Sequence, residues 1–297
     1  MTESRRTSLL AALLLLSVTA VWGSTFFLIK DLLERVPTLD FLAVRFSLAA
    51  VLLVVVAPRA LGRLSATARK HALVLGALYG VAQILQTAGL AHTAASVSGF
   101  ITGMYVVATP LFAALILHSR ITRMTWAAVA LATAGLAVLT LQGFSVGYGE
   151  AITLVAAMIY ALHIVGLGAW SKPAEAIGMS MVQVIVIAVI CLLASAPGGI
   201  VLPQTRGDWL SVIYMAALAG SFALFAQTWA QAHLAPTRCA IIMSMEPVFA
   251  ALFAVLAGGE DLTLRMLIGG AMVVTAMLVV ELLPRRKVEA EVPHIAV

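Results

Sequence analysis

Two charged side chains lie deep inside long apolar runs of this sequence, Arg45 and Glu246. A charge withdrawn from water costs about 2.5 kcal/mol or more, so each marks a functional hypothesis. If the runs are helices rising 1.5 Å per residue, Arg45 sits about 10 Å from one end of its helix and Glu246 near the middle of its own. An arginine is long enough to reach such a carboxylate. Two readings follow: an ion pair locking two helices, or a Glu246 that holds a substrate or a coupling proton. Pro247 follows Glu246 directly, removes one helix hydrogen bond and frees a carbonyl beside it. Thr109-Pro110 is the comparable irregularity in the first half of the chain, so Pro110 and Pro247 are candidate gating or bending points.

Polar side chains cluster around the same stretches. Ser98, Thr102, Tyr105 and Thr109 recur at offsets of 0, 4, 7 and 11, ahead of Phe112, and share one helix face. Tyr79, Gln83 and Gln86 form a related stripe, with Gln227 and Ser244 in the second half. Such groups bind small solutes or join helices through hydrogen bonds. His163 is a proton relay or a neutral histidine held by one interhelical bond. Trp22 and Tyr160 stack on an aromatic or cationic solute or fill the core. The binding candidates are thus Trp22, Tyr79, Gln83, Gln86, Thr102, Tyr105, Thr109, Tyr160, His163, Gln227, Ser244 and Glu246. His92 and His233 fall at helix ends. Gly76-x-x-x-Gly80 and Gly99-x-x-x-Gly103 predict close helix approach.

Missing motifs narrow the chemistry. There is no GxxxxGK[ST] loop and no room for an ATPase domain, and neither HExxH nor GxSxG occurs. Cys191 and Cys239 lie in apolar runs without disulfide or zinc spacing. No cofactor or metal is expected.

These residues must be held by membrane-spanning helices. Of 297 residues, 62% are hydrophobic and 10% charged, against roughly a quarter charged in soluble domains, and the mean hydropathy is +1.07. The net charge of +5 comes from short basic connections, whose partners are lipid headgroups and not nucleic acid. Ten segments of about 20 residues can be marked: Leu9 to Ile29, Leu39 to Ala57, His71 to Ala91, Val97 to Leu117, Met124 to Gln142, Tyr148 to Gly168, Gly178 to Pro197, Asp208 to Ala230, Arg238 to Ala257 and Thr263 to Leu283. The first, behind Arg5 and Arg6, resembles a signal sequence but runs long enough to span and is expected to stay uncleaved. With the N-terminus inside, thirteen Lys and Arg fall in cytoplasmic connections, including Arg285, Arg286 and Lys287, against four outside (Lys30, Arg35, Arg206, Arg265). Both termini are therefore expected in the cytoplasm.

The chain also repeats near 141 residues. Gln86-Thr87 with Ala91-His92 returns as Gln227-Thr228 with Ala232-His233, and Pro110 to Leu115 (Pro-Leu-Phe-Ala-Ala-Leu) returns as Pro247 to Leu252 (Pro-Val-Phe-Ala-Ala-Leu) after a four-residue shift. The expected fold is all-α, two five-helix repeats (1–146 and 147–284) of inverted topology around a central cavity, with a basic tail over 285–297. Secondary transporters use that architecture, with the site near the midplane between repeats.

Trp22-Gly23-Ser24, Arg45-Phe46, Pro110, Glu246-Pro247 and Gly259-Glu260 stand in an order that resembles EamA-type members of the drug/metabolite transporter superfamily, most like exporters of aromatic amino acids. His118-Ser119-Arg120 departs from the Gly-Glu-Arg often found there. The resemblance implies a bacterial inner-membrane exporter of amino acids or related metabolites and not an enzyme. From the residues, one buried arginine favours a zwitterion or cation over a phosphate ester. A multidrug or cation exporter is the alternative with the same mechanism. A lipid-acting enzyme using Glu246 and His163 as an acid/base pair is another. One chain suffices to enclose a cavity, and a dimer is compatible with the sequence.

Overall fold

The computed structural model describes residues 3–93, 95–140, 147–257 and 261–282. Gly259-Glu260, the ends of the fifth and tenth segments at Gln142 and Leu283, and the basic tail lie outside them. Every regular element among the described residues is helical. The first segment divides into α1 (Glu3–Gly23) and α2 (Thr25–Leu33), followed by α3 (Thr38–Val56) and α4 (Ala66–His92). The fourth divides into α5 (Ala95–Gly103) and α6 (Tyr105–Ile116), and α7 (Arg123–Thr140) closes the first half. The second half runs through α8 (Tyr148–Trp170), α9 (Ala176–Ser195), α10 (Arg206–Tyr214), a π-helical stretch (Met215–Phe222) and α11 (Ala223–Gln231). It ends with α12 (Pro236–Met243), α13 (Glu246–Ala257) and α14 (Leu264–Leu282).

Eight helical segments among the described residues are long and apolar enough to cross a bilayer. The fifth and tenth expected spans, α7 and α14, are shorter apolar helices over 123–138 and 264–280. Large side chains facing outward, such as Val55 (71% exposed) and Leu115 (72%), would be costly in water and match hydrocarbon.

The two halves pack with a common pattern. α3 lies on α9, α6 on α12 and α7 on α14, each pairing equivalent segments. The remaining contacts come in matched sets: α4 on α8 answers α1 on α11, α4 on α9 answers α3 on the π stretch, and α8 on α5 and α6 answers α1 on α12 and α13. The numbering offset between halves grows along the chain. It is 138 residues between the starts of α3 and α9, and 140 between the N-caps Ser65 and Thr205, whose hydroxyls accept from the amides of Ala68 and Asp208. Beyond the π stretch, whose wider turn absorbs one extra residue, the offset is 141 for α5 and α12, α6 and α13, and α7 and α14.

That register moves one expected correspondence. The second half-helices α6 and α13 are both 12 residues long and begin at Tyr105 and Glu246. Tyr105 is therefore the counterpart of Glu246. Pro247 occupies the first turn of α13, where its missing amide costs nothing, whereas Pro110 lies inside α6. The two prolines do not occupy matching points.

At one end of the bundle Arg35 donates to Asp31 (2.5 Å) and Asp208 (2.8 Å), joining α2 to the start of α10. These bonds hold the guanidinium above its already high ordinary pKa, so it stays charged. Lys30 donates to the Thr93 carbonyl and the Thr93 hydroxyl to Glu150, tying α2, α4 and α8 at the same end.

Glycines set the closest helix contacts. A Cβ at Gly76 would meet the Gln183 Cα and Val186 Cβ at 2.9 Å, while one at Gly99 would meet nothing within 4 Å. Gly76→Ala is expected to cost about 1–3 kcal/mol by overpacking α4 on α9. Gly99→Ala is expected to leave stability unchanged. Thermal melts of the two variants in detergent check this contrast; equal melting temperatures would contradict it.

Candidate functional site

Among the described residues the helices enclose a polar cavity at the centre of the bundle, where the two halves meet. Its walls come from α1 to α6 and from α8, α11, α12 and α13. Ten of the twelve binding candidates line it: Trp22, Tyr79, Gln83, Gln86, Thr102, Tyr105, Tyr160, His163, Gln227 and Glu246, together with Arg45. Thr109 and Ser244 do not. Thr109 is fully buried with its hydroxyl unpartnered, and the Ser244 hydroxyl donates back to the Ile241 carbonyl at 2.6 Å.

Helix breaks aim these groups inward. At Ser24 the hydroxyls of Ser24 and Thr25 bond to the carbonyls of Val21 and Trp22, a back-bonding that bends helices. The Ser24 hydroxyl also meets the Tyr214 hydroxyl at 2.6 Å. A Cβ at Gly23 would lie 2.7 Å from the Glu246 carbonyl and 2.8 Å from the Ala250 amide nitrogen. Glycine is thus required where α1 meets the first turn of α13. In the π stretch the Ala219 carbonyl accepts the Trp22 indole N–H at 3.0 Å, fixing one wall.

A hydrogen-bonded set orders the opposite wall. The Tyr160 hydroxyl lies 2.8 Å from Gln86 Oε1 and 3.2 Å from Gln83 Oε1. It has one proton for the two acceptors. Gln86 Nε2 donates to the Thr102 hydroxyl, and Gln83 Nε2 to that of Thr87. The Tyr79 ring meets those of Phe46, Tyr160 and His163 edge-on, with centroids 6.4, 5.5 and 5.1 Å apart.

Of the two readings of the charged groups, the ion pair is not formed: no salt bridge joins Arg45 to Glu246 among the described residues. The Arg45 guanidinium lies over Phe46 (5.0 Å to the ring centroid) and Phe41 (5.9 Å), and its Nε and Nη1 have no hydrogen-bond partner. These ring faces offset part of its desolvation. Glu246 is 7% exposed, and no hydrogen bond or ion pair engages its carboxylate among the described residues. His163 lines the same cavity as Glu246, and no hydrogen bond joins the two among the described residues. His163 Nε2 lies 2.8 Å from Gln183 Oε1, and the Gln183 amide nitrogen donates to the Met179 carbonyl, which makes Nε2 the protonated nitrogen.

Four groups facing this space have buried polar atoms without partners: the Arg45 guanidinium, the Tyr105 hydroxyl, His163 Nδ1 and Gln227 Oε1; the Glu246 carboxylate faces the same space. Buried polar atoms are seldom left so. The free volume, about 50 Å³ for the centre of a water-sized sphere, suits a few waters. A larger solute requires the walls to part. Cavity residues missed from the sequence include Phe26, Ile29 and Thr87. The first two lie four and seven residues after Trp22, and Thr87 belonged to the repeated Gln-Thr pair. Among the described residues no group of three or more His, Cys, Asp or Glu could hold a metal ion.

Comparison with known proteins agrees with this arrangement. An uncharacterized transporter from Archaeoglobus fulgidus is 28% identical over 270 residues, spanning 89% of this chain and 83% of that one. A solved crystal structure superposes with a TM-score of 0.78 at 18% identity, over 93% of this chain and 97% of its own, which shows a shared fold. The model of the EamA-like transporter family matches twice, at residues 9–141 and 147–282, starting 138 residues apart and ending 141 apart as the helices do. With its two halves meeting around a polar cavity, this membrane protein belongs to the EamA-like transporter family.

Proposed function

We propose that the chain exports small zwitterionic metabolites, amino acids and aromatic ones among them, across the bacterial inner membrane by alternating access. The observation that carries this reading is a guanidinium from the first half and a carboxylate from the second, both unpaired and facing one cavity edged by aromatic rings. A zwitterion supplies both missing partners, its carboxylate to Arg45 and its ammonium to Glu246. Trp22, Phe26, Tyr79 and Tyr160 suit an aromatic side chain. Gln86 and Thr102, already bonded to each other, set the shape of the pocket.

In this reading the chain crosses the membrane ten times, with both termini in the cytoplasm, as the thirteen-to-four distribution of basic residues favours. Five spans per half invert the second repeat relative to the first. The repeats occupy 1–146 and 147–284, with the basic tail at 285–297. Ile29 and Leu90, near the ends of α2 and α4, extend the cavity toward the Arg35 end of the bundle, which becomes the outer face. One chain holds the complete cavity, so a monomer suffices.

Transport of radiolabelled phenylalanine in proteoliposomes, with and without a pH gradient, tests the assignment. Glu246→Gln and Arg45→Gln are each expected to lower the rate more than tenfold, since each leaves one substrate charge buried and unpaired. Wild-type rate and unchanged pH dependence in a folded Glu246→Gln protein would overturn the role of this carboxylate. Competition by cationic dyes as effective as that by amino acids would instead favour the multidrug reading.

Tyr160→Phe removes the donor shared by Gln83 and Gln86, a bond worth about 1 kcal/mol. The expected outcome is a KM raised about fivefold with the preference among substrates retained. An unchanged KM would remove Tyr160 from the binding wall.

A further inference from the structure

A second cavity lies far from the first, at the end of the bundle opposite Arg35. It forms where the connection after α3 folds onto the start of α9, with Arg59, Arg63, Leu64, Glu175, Ile177 and Gly178 around it. It is a crevice of about 460 Å³. Gly178 fixes its shape: a Cβ there would lie 2.7 Å from Leu64 Cγ and 2.9 Å from the Ala60 carbonyl. The connection consequently sits directly on the backbone of α9.

The charges in this crevice are unevenly engaged. Glu175 Oε1 accepts from the Ser65 amide at 3.1 Å, and Lys172 is close enough to act on the same carboxylate. The side chains of Arg59 and Arg63 are exposed and meet no acceptor among the described residues. Two free guanidiniums therefore face a site whose one acid is already engaged. An apolar path leads away along α3, where Val51 (61% exposed), Val55 (71%) and Val56 (67%) turn outward, the first two on one helix face.

We infer that this crevice is a headgroup site for an anionic phospholipid, with the phosphate between Arg59 and Arg63 and the acyl chains along the outward valines of α3. Paired arginines match the oxygens of a phosphate diester, and basic pockets between spanning helices are where anionic headgroups lodge. A zwitterionic lipid would bring a choline cation against the same arginines, so charge selects the anionic class. The site shares no residue with the central cavity, and its occupancy is read without measuring transport.

Native mass spectrometry of the full chain in neutral detergent, titrated with dioleoyl phosphatidylglycerol or dioleoyl phosphatidylcholine, tests the site. Arg59→Gln with Arg63→Gln is expected to weaken phosphatidylglycerol binding at least tenfold and leave phosphatidylcholine unaffected. Arg120→Gln with Arg123→Gln removes the same charge from the α6–α7 connection at the same end of the bundle, and is expected to change binding less than twofold. The proposal fails if the first pair leaves phosphatidylglycerol affinity intact, or if both pairs lower it equally. It also fails if millimolar glycerol phosphate displaces the lipid completely, because a phosphate site without acyl contacts would then explain the binding. Matching size-exclusion profiles establish that the variants are folded.

Discussion

In hydrocarbon no water is available to a free amide or carbonyl, so a helix can be broken only where protein or an aqueous cavity takes over its backbone groups. The internal irregularities of this fold obey that constraint by gathering around one space. The breaks at Ser24, Met104 and Ser244-Met245 are each flanked by side chains that line the central cavity. The π stretch gives its Ala219 carbonyl to the indole of Trp22. Continuous helices, α3, α4, α8 and α9, form the frame against which the broken ones are held.

Keeping Arg45 and Glu246 apart has energetic meaning. A closed ion pair would satisfy both charges and leave little reason for a solute to enter. With the guanidinium held over Phe46 and the carboxylate on the opposite half, each remains a standing demand for a counter-charge. Burying a charge without its partner carries a desolvation cost that only a counter-charge or hydrogen bonds offset. The aromatic and amide walls are bonded to one another through Tyr160, Gln86 and Thr102.

Much of this could be read in the sequence because hydropathy and backbone repetition are local signals. Apolar length located the helical segments, and the Gln-Thr recurrence located equivalent faces of α4 and α11. Side-chain reach was not legible: that Arg45 folds over Phe46 and Phe41 of its own helix is a choice of rotamer, which hydropathy does not encode. The break at Ser24 and the π stretch Met215–Phe222 carry no proline; each holds only a Gly-Ser pair, Gly23-Ser24 and Gly220-Ser221, a faint signal among many small residues. The four-residue shift between the proline motifs misaligned the halves locally, because a similar apolar string outweighed helix register. The two GxxxG patterns look alike on paper, yet Gly76 abuts the backbone of α9 while Gly99 faces open space.

The changing offset between the halves, 138 then 140 then 141, also records where this architecture tolerates unequal growth. Two residues entered between the start of the second pair of segments and the start of the third, and one was absorbed by the π turn; from α5 and α12 onward the halves run in step. A helix turns about 100° per residue, so one inserted residue between Thr102 and Tyr105, or between Met243 and Glu246, would swing the following wall of the cavity out of alignment. Duplicated halves are thus free to diverge in their hairpins and are locked in length through their broken helices. Length variation among descendants of such a duplication should concentrate in the connections and spare the stretches that carry Tyr105 and Glu246.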